Sequence, residues 1–168
     1  MRASNASDDR LKYQWLSATA AHKLAIKPWF TNASQLTSWG GPNMVFPISD
    51  ADFVSALSHE HLGSFCLVDE QQQVLAFGQH YVRLGRHHLG RLAVNPHFRG
   101  LGLAKELIER LLLQAKQDRE ARGASLFVYP DNRVAFNCYR SLGFREQAYP
   151  ADLPEGMPEC VYMVRDEA

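Results

Sequence analysis

The apolar residues of this chain gather into short runs and one long amphipathic stretch. Tyr13-Gln14-Trp15-Leu16 reads as a first strand. Thr19 to about Ala25 predicts a short helix, which Pro28 stops because proline lacks the amide a helix needs to continue. Ser34 to Trp39 predicts a second helix, preceded by polar Thr31-Asn32 and ended by Gly40-Gly41-Pro42. Ser49-Asp50-Ala51-Asp52 opens a third, through about Ser58. Ser64 to Asp69 and Val74 to Leu84 predict two antiparallel strands, joined through the polar link Glu70-Gln71-Gln72-Gln73. Gly85-Arg86-His87-His88 reads as a solvated turn into a strand from Leu89 to Val94, which Asn95-Pro96 ends.

The clearest pattern follows. Ala104, Leu107, Ile108, Leu111 and Ala115 recur at the three-four spacing of one buried helix face. Lys105 with Glu109, and Glu106 with Arg110, pair along the wet face. Gly123 stands where this helix should end. Ser125 to Tyr129 predicts a strand, and Asp131 the cap of a helix from about Arg133 to Leu142, closed by Gly143. Phe144 to Tyr149 and Glu159 to Val164 predict two last strands, with a loop from Pro150 to Pro158 between them. This order is mixed α/β, with a parallel, right-handed crossover from Leu89 to Tyr129. No linker divides the chain, so 10–168 is expected to form a single domain. Met1 to Asp9, polar and small, is expected to be a loose N-terminal segment.

Composition narrows the chemistry. The chain has 168 residues, 46% of them hydrophobic, enough for one sizeable core. Lys plus Arg equals Asp plus Glu, 18 each, so nothing draws the whole molecule to nucleic acid or to an anionic membrane. An anion site must then be built locally. The three cysteines, Cys66, Cys138 and Cys160, are odd in number and contain no CxxC pair. That argues against a disulfide framework and a structural zinc site, and for a reducing cytoplasm. No metal is expected. The start has no apolar core of a signal peptide, and no apolar run reaches the length of about 18 residues that marks a transmembrane helix.

Arg99-Gly100-Leu101-Gly102-Leu103-Ala104 lies between a predicted strand and the long helix. The first amides of a helix have no internal partner and the dipole is positive there, so this turn suits a diphosphate, and Arg99 adds charge. The glycines can equally serve the geometry of a plain strand-to-helix turn. A P-loop needs Gly-Lys-Ser/Thr, but Gly102 is followed by Leu103-Ala104; a dinucleotide fingerprint needs a third glycine where Lys105 stands.

The stretch from Leu92 to Ala104 resembles the central motif of the GNAT N-acetyltransferases, Arg/Gln-x-x-Gly-x-Gly/Ala after a strand ending in Val-x-Pro, filled here by Arg99, Gly102 and Ala104. Asn132, Ala135, Tyr139 and Leu142-Gly143-Phe144 are similar to the family's Asn-x-x-Ala-x-x-x-Tyr-x-x-Leu-Gly-Phe block. The two blocks cover about a third of the chain, and the N-terminal third carries no such signature. The resemblance implies a GNAT-like mixed, mostly antiparallel sheet with a central splayed parallel strand pair, flanked by helices. It implies acetyl-CoA as co-substrate and transfer of its acetyl group to a small-molecule or peptide amine by direct attack on the thioester. The pantetheine arm would lie between Leu92-Ala93-Val94 and Leu126-Phe127-Val128, with an amide near Val94 facing the thioester oxygen. The diphosphate would rest on Arg99, Gly100, Leu101, Gly102, Leu103 and Ala104. Asn132 would contact the cofactor, or cap its helix, or both. Tyr139 would protonate the leaving thiolate, although its helical spacing with Ala135 and Leu142 also fits a core tyrosine.

The glutamate base that some relatives carry before the Asn-Ala-Tyr helix is missing, since Phe127 and Tyr129 stand there. His80, Glu60, His61 or a water chain are substitutes. Cys138, one residue from Tyr139, is expected to point elsewhere on the helix and not to be activated. Trp29, Phe30, Trp39, Met44 and Phe46 form an aromatic-rich cluster that suits core or an acceptor wall. Dimerisation is common in the family, and nothing in the sequence fixes it. A non-catalytic acyl-CoA-binding or sensing module is the rival reading, and the phenol at Tyr139 weighs against it.

Overall fold

The computed structural model describes residues 11–151, 153 and 159–166. The expected loose segment, 1–9, and most of the 150–158 loop lie outside them. Strands β1 (Tyr13–Ser17), β2 (Gly63–Asp69), β3 (Val74–Arg83), β4 (Arg86–Val94), β5 (Ala124–Val128), β6 (Arg145–Gln147) and β7 (Val161–Arg165) form one sheet. Their order is β1-β2-β3-β4-β5-β7-β6. Every neighbouring pair is antiparallel except β4 and β5, which are parallel, as the crossover pattern requires. Helices α1 (Ala20–Ile26), α2 (Ala33–Gly40) and α3 (Asp50–Ala56) precede β2; α4 (Leu103–Asp118) crosses from β4 to β5, and α5 (Arg133–Ser141) follows β5. Among the described residues no helix is long and apolar enough to cross a membrane.

Three short helices start where polar residues cap them. Thr19 accepts from the His22 amide, Asn32 from the Gln35 amide and Ser49 from the Asp52 amide. The sheet is covered on both faces, which explains the unbroken apolar runs of β2 and β3. Leu67, Leu75, Leu89 and Met163 pack with Leu107, Ile108 and Leu111 of α4 in one core. Cys66, Val68, Val74 and Phe77 pack with Ile26, Leu36 and Phe53 in the other. Gly78 sits where α4 presses hardest on the sheet. A Cβ there would come within 2.5 Å of Leu111 Cδ1 and 2.9 Å of Leu92 Cδ2.

Three local expectations are corrected. α4 ends at Asp118, and Gly123 (φ +60°) instead turns the chain into β5. Asn132, not Asp131, caps α5. His87 and His88 are not a solvated turn; Leu84-Gly85 makes the turn, and both histidines are buried inside β4. β4 is a central strand with both faces covered, so polar residues at its start are enclosed with the rest.

Candidate active site

β4 and β5 begin together and then part. His87 pairs with Ala124, His88 with Ser125 and Leu89 with Leu126; from Gly90 onward the pairing stops. A bulge on the other edge of β4 accompanies the parting. The register with β3 passes from Phe77↔Ala93 to Gln79↔Gly90, so Arg91 and Leu92 together face Gly78. Arg91 adopts φ +49°, a left-handed conformation that a non-glycine residue holds at a cost of about 1 kcal/mol. Its guanidinium offsets that cost. It donates to the Gly40 carbonyl at 3.0 and 3.2 Å, the Ala56 carbonyl at 3.0 Å and Gln79 Oε1 at 3.1 Å. The last turns of α2 and α3 are thereby tied to the bulge.

The parted strands bound a cleft with three connected lobes. The central lobe, about 390 Å³, lies between Leu89–Val94 and Phe127–Tyr129. A second, about 680 Å³, shares Leu92, Ala93, Val94, Arg99, Asn132 and Tyr139 with it and runs to the glycine turn. A third, about 450 Å³, shares Ser38, Trp39, Leu89, Gly90, Arg91, Phe127 and Tyr129 with the central lobe and lies on the α2 side.

The turn lobe is made largely of backbone. Gly100 and Gly102 both have φ +77°, and a Cβ on either would meet nothing within 4 Å. Gly102 is the N-cap of α4, and no side chain caps the helix. The first amides of a 16-residue helix therefore meet an open cradle. Gly100, Gly102, Leu103 and Ala104 line it. Leu101 does not: its side chain turns to solvent, 61% exposed, and only its backbone belongs to the turn. Asn132 Oδ1 accepts from the Ala135 amide at 3.3 Å, so it caps α5 while lining both lobes. This geometry fits a coenzyme A diphosphate, since a bulky anion needs both the bare amides and the absent side chains.

Tyr139 projects from α5 to the border of the turn and central lobes, with its ring edge against Phe144 at 6.3 Å between centroids. Burial pushes its phenol well above the usual range, so it stays protonated at neutral pH. Cys138 lines the turn lobe as well, contrary to expectation, because both side chains flank the same wall; burial raises its thiol, leaving it unactivated.

The third lobe is made of side chains. Tyr81 and Arg83 sit two apart on β3 and so share a face. The Arg83 guanidinium lies over the Tyr81 ring and over the Phe127 ring, 5.4 Å from each centroid. His88 is buried beside them, its Nδ1 2.8 Å from Ser125 Oγ, and burial with the Arg83 charge pushes it down to about 3. Tyr129 and Cys160 complete the wall, and burial pushes the Cys160 thiol up to about 11. Of the substitutes for the missing base, His61 lines this lobe. Glu60 is absent from the described lining, and His80 lies outside the cleft, buried on Asp118 Oδ2 at 3.0 Å. The aromatic cluster divides: Met44 is core, Phe46 is 40% exposed, and Trp29, Phe30 and Trp39 line the central lobe. Arg83 and Arg91 were not singled out in the sequence. The Tyr-x-Arg spacing on β3 and a lone arginine inside the apolar run Leu89–Val94 are the faint traces that they leave in the sequence.

Comparison with known proteins gives one answer. The acetyltransferase (GNAT) family model matches residues 23–144. A [ribosomal protein bS18]-alanine N-acetyltransferase of Haemophilus ducreyi is 36% identical over 98 residues. That match covers 54% of this chain and 63% of the relative, so the chain matches under two thirds of that relative's length. Two solved structures share the fold. The ribosomal-protein-S18-alanine N-acetyltransferase from Escherichia coli superposes with a TM-score of 0.67 at 24% identity, over 92% of this chain and 94% of that one. The aminoglycoside acetyltransferase AAC(6')-Ib in complex with coenzyme A and kanamycin gives 0.69 at 21%, over 92% and 95%. The matched span holds both α4 with its bare glycine cradle and the parted strands that lead into it, and the chain belongs to the GNAT acetyltransferase family.

Proposed function

We propose that the chain is an acetyl-CoA-dependent N-acetyltransferase whose cofactor lies along the turn and central lobes and whose acceptor amine enters from the third. The carrying observation is the continuity of the cleft: β4 leaves β5 at Gly90 and leads, through a single 3-10 turn at Pro96–Phe98, to the uncapped start of α4. The amides of 100–104 and the Arg99 side chain hold the diphosphate, and Leu92, Ala93, Val94 and Asn132 flank the pantetheine arm. A strand amide near Val94 donates to the thioester oxygen, where negative charge grows as the amine attacks.

Acetyl-CoA supplies an acyl group activated by its thioester. The amine lone pair forms the C–N bond, the C–S bond breaks, and Tyr139 gives its phenolic proton to the departing sulfur. The nitrogen proton leaves to solvent through the open third lobe, and the phenolate recovers a proton from the same source. His88 does not serve as base, because a group titrating near 3 holds a proton too weakly at neutral pH. A non-catalytic binder would have no use for a protonated phenol facing the cleft, and the named relatives are acetyltransferases. Their names give a ribosomal-protein alanine in one case and an aminoglycoside in another, so a small-molecule or peptide amine is the shared acceptor chemistry. The three unpaired thiols fit a reducing cytoplasm.

Thermal melting with ligands and thiol release over an amine panel test this reading. Acetyl-CoA at a hundredfold excess over its Kd should add about 2.7 kcal/mol and raise the Tm by several degrees. A nicotinamide dinucleotide should not. A shift with the dinucleotide and none with the thioester would overturn the proposal.

A further inference from the structure

The third lobe says what kind of amine it takes. Its charged lining is one-sided. Arg83 and Arg91 face it with His59, His61 and neutral His88, beside the un-ionised Tyr81, Tyr129 and Cys160; among the described residues no aspartate or glutamate lines it, and Glu159 stands behind Tyr129 and Cys160. The two arginines differ in what they have left to offer. Arg91 spends its guanidinium on Gly40, Ala56 and Gln79. Arg83 makes no hydrogen bond or ion pair among the described residues; two aromatic faces hold it.

That manner of holding has a chemical consequence. Cation–π attraction to the Tyr81 and Phe127 faces, 5.4 Å away, holds the guanidinium without neutralising it. The N–H groups lie in the guanidinium plane, so its edge stays available for a two-pronged contact with a carboxylate. Burial first, and the Arg83 charge second, hold the neighbouring His88 neutral. A half-buried cation with no counter-charge among the described residues repels a polyamine and attracts an anion. The lobe meets the parted strands at Leu89, Gly90 and Arg91, so an anion on Arg83 leaves the rest of the ligand directed at the central lobe.

We infer that the acceptor is an amine that also carries a carboxylate, of the amino-acid class, and that Arg83 anchors this carboxylate while the amine reaches the thioester. The inference rests on the acetyl-transfer reading above and sets this chain apart from a relative crystallised with kanamycin, a polycationic ligand.

The test measures thiol release for matched pairs, free amino acids against their carboxamides, with spermidine and a C-terminally amidated peptide alongside. Wild type should favour the carboxylate member of at least one pair by about tenfold or more in kcat/KM, the size expected of a charge-assisted contact. In Arg83→Gln that ratio should collapse, mainly through KM, while coenzyme A affinity measured by calorimetry holds. Arg83→Lys should restore part of the ratio, since it returns the charge but not the planar fork. Turnover of carboxamides, spermidine or the amidated peptide as fast as the free acids would overturn the inference alone. So would a carboxylate preference that survives in Arg83→Gln. No thiol release with any amine, from a protein that still binds coenzyme A, would overturn the acetyl-transfer reading and this inference with it.

Discussion

The two ends of the cleft are built from different materials. The turn lobe is backbone: two glycines at φ +77°, an uncapped helix and bare amides, all within one short segment of chain. The α2-side lobe is side chain: Trp39, Arg83 on two aromatic faces, buried His88, and Tyr129, drawn from α2, β3, β4 and the residue after β5. A backbone cradle recognises what every ligand of its class shares, which on the proposed function is a diphosphate. A side-chain lobe recognises what differs between ligands. Between them β4 parts from β5, and the Arg91 bulge holds the join.

The largest expected effect breaks the backbone end. Gly102→Glu puts a side chain at φ +77° and a negative charge in the open cradle. Coenzyme A affinity by calorimetry should fall by about a hundredfold or more, from strain and like charge together. An unchanged affinity would place the diphosphate elsewhere.

Next comes the border between the two ends. Tyr139→Phe keeps the ring on Phe144 and removes only the proton donor. The single-turnover rate should drop about a hundredfold with coenzyme A affinity and Tm little changed. A wild-type chemical rate would return Tyr139 to a packing role.

Arg91→Met tests the join. It leaves the carbonyls of Gly40 and Ala56 and the Gln79 amide without their donor, and should lower stability by about 2 kcal/mol in urea unfolding. Because α2 walls the proposed acceptor lobe, KM for the amine should rise more than the Kd of coenzyme A. Equal changes in both would show that the clamp does not serve the acceptor side in particular.

The smallest effect is a pH dependence. Folded His88 titrates near 3, below the ordinary value of 6.5, so protonation favours the unfolded chain. Its contribution to stability is complete above about pH 6.5 and is lost as pH falls toward about 3, at no more than about 1.4 kcal/mol per pH unit. Buried His80, also held low, adds to the same window. Between pH 6.5 and 5, where most carboxylates remain ionised, His88→Gln should flatten the decline. An unchanged slope would mean that His88 is not buried neutral.

The same contrast explains what the sequence disclosed. Arg99 to Ala104 is contiguous, and its glycines are needed for a backbone reason, so the motif could be read directly. The helix starts at Thr19, Asn32 and Ser49 and the apolar face of α4 were legible because their causes are local. Arg83 was not, since its two aromatic supports lie two and 44 residues away and meet it only in the folded sheet. Arg91 looks like any strand residue until the register with β3 shifts. His87 and His88 were misplaced because a polar pair after Gly85 suits a turn locally, whereas β4 lies in the middle of the sheet. Leu101 fell on the motif yet turns outward, because the turn uses its backbone alone.

A crystal structure of the complex with coenzyme A would show which end of the cleft holds the cofactor. The pantetheine arm should lie between β4 and β5 beyond Gly90, with the diphosphate on the amides of 100–104 and the sulfur near Tyr139, and the Arg83 lobe should be left free. Coenzyme A bound outside the parted strands, or with its diphosphate on Arg83, would contradict the proposed function.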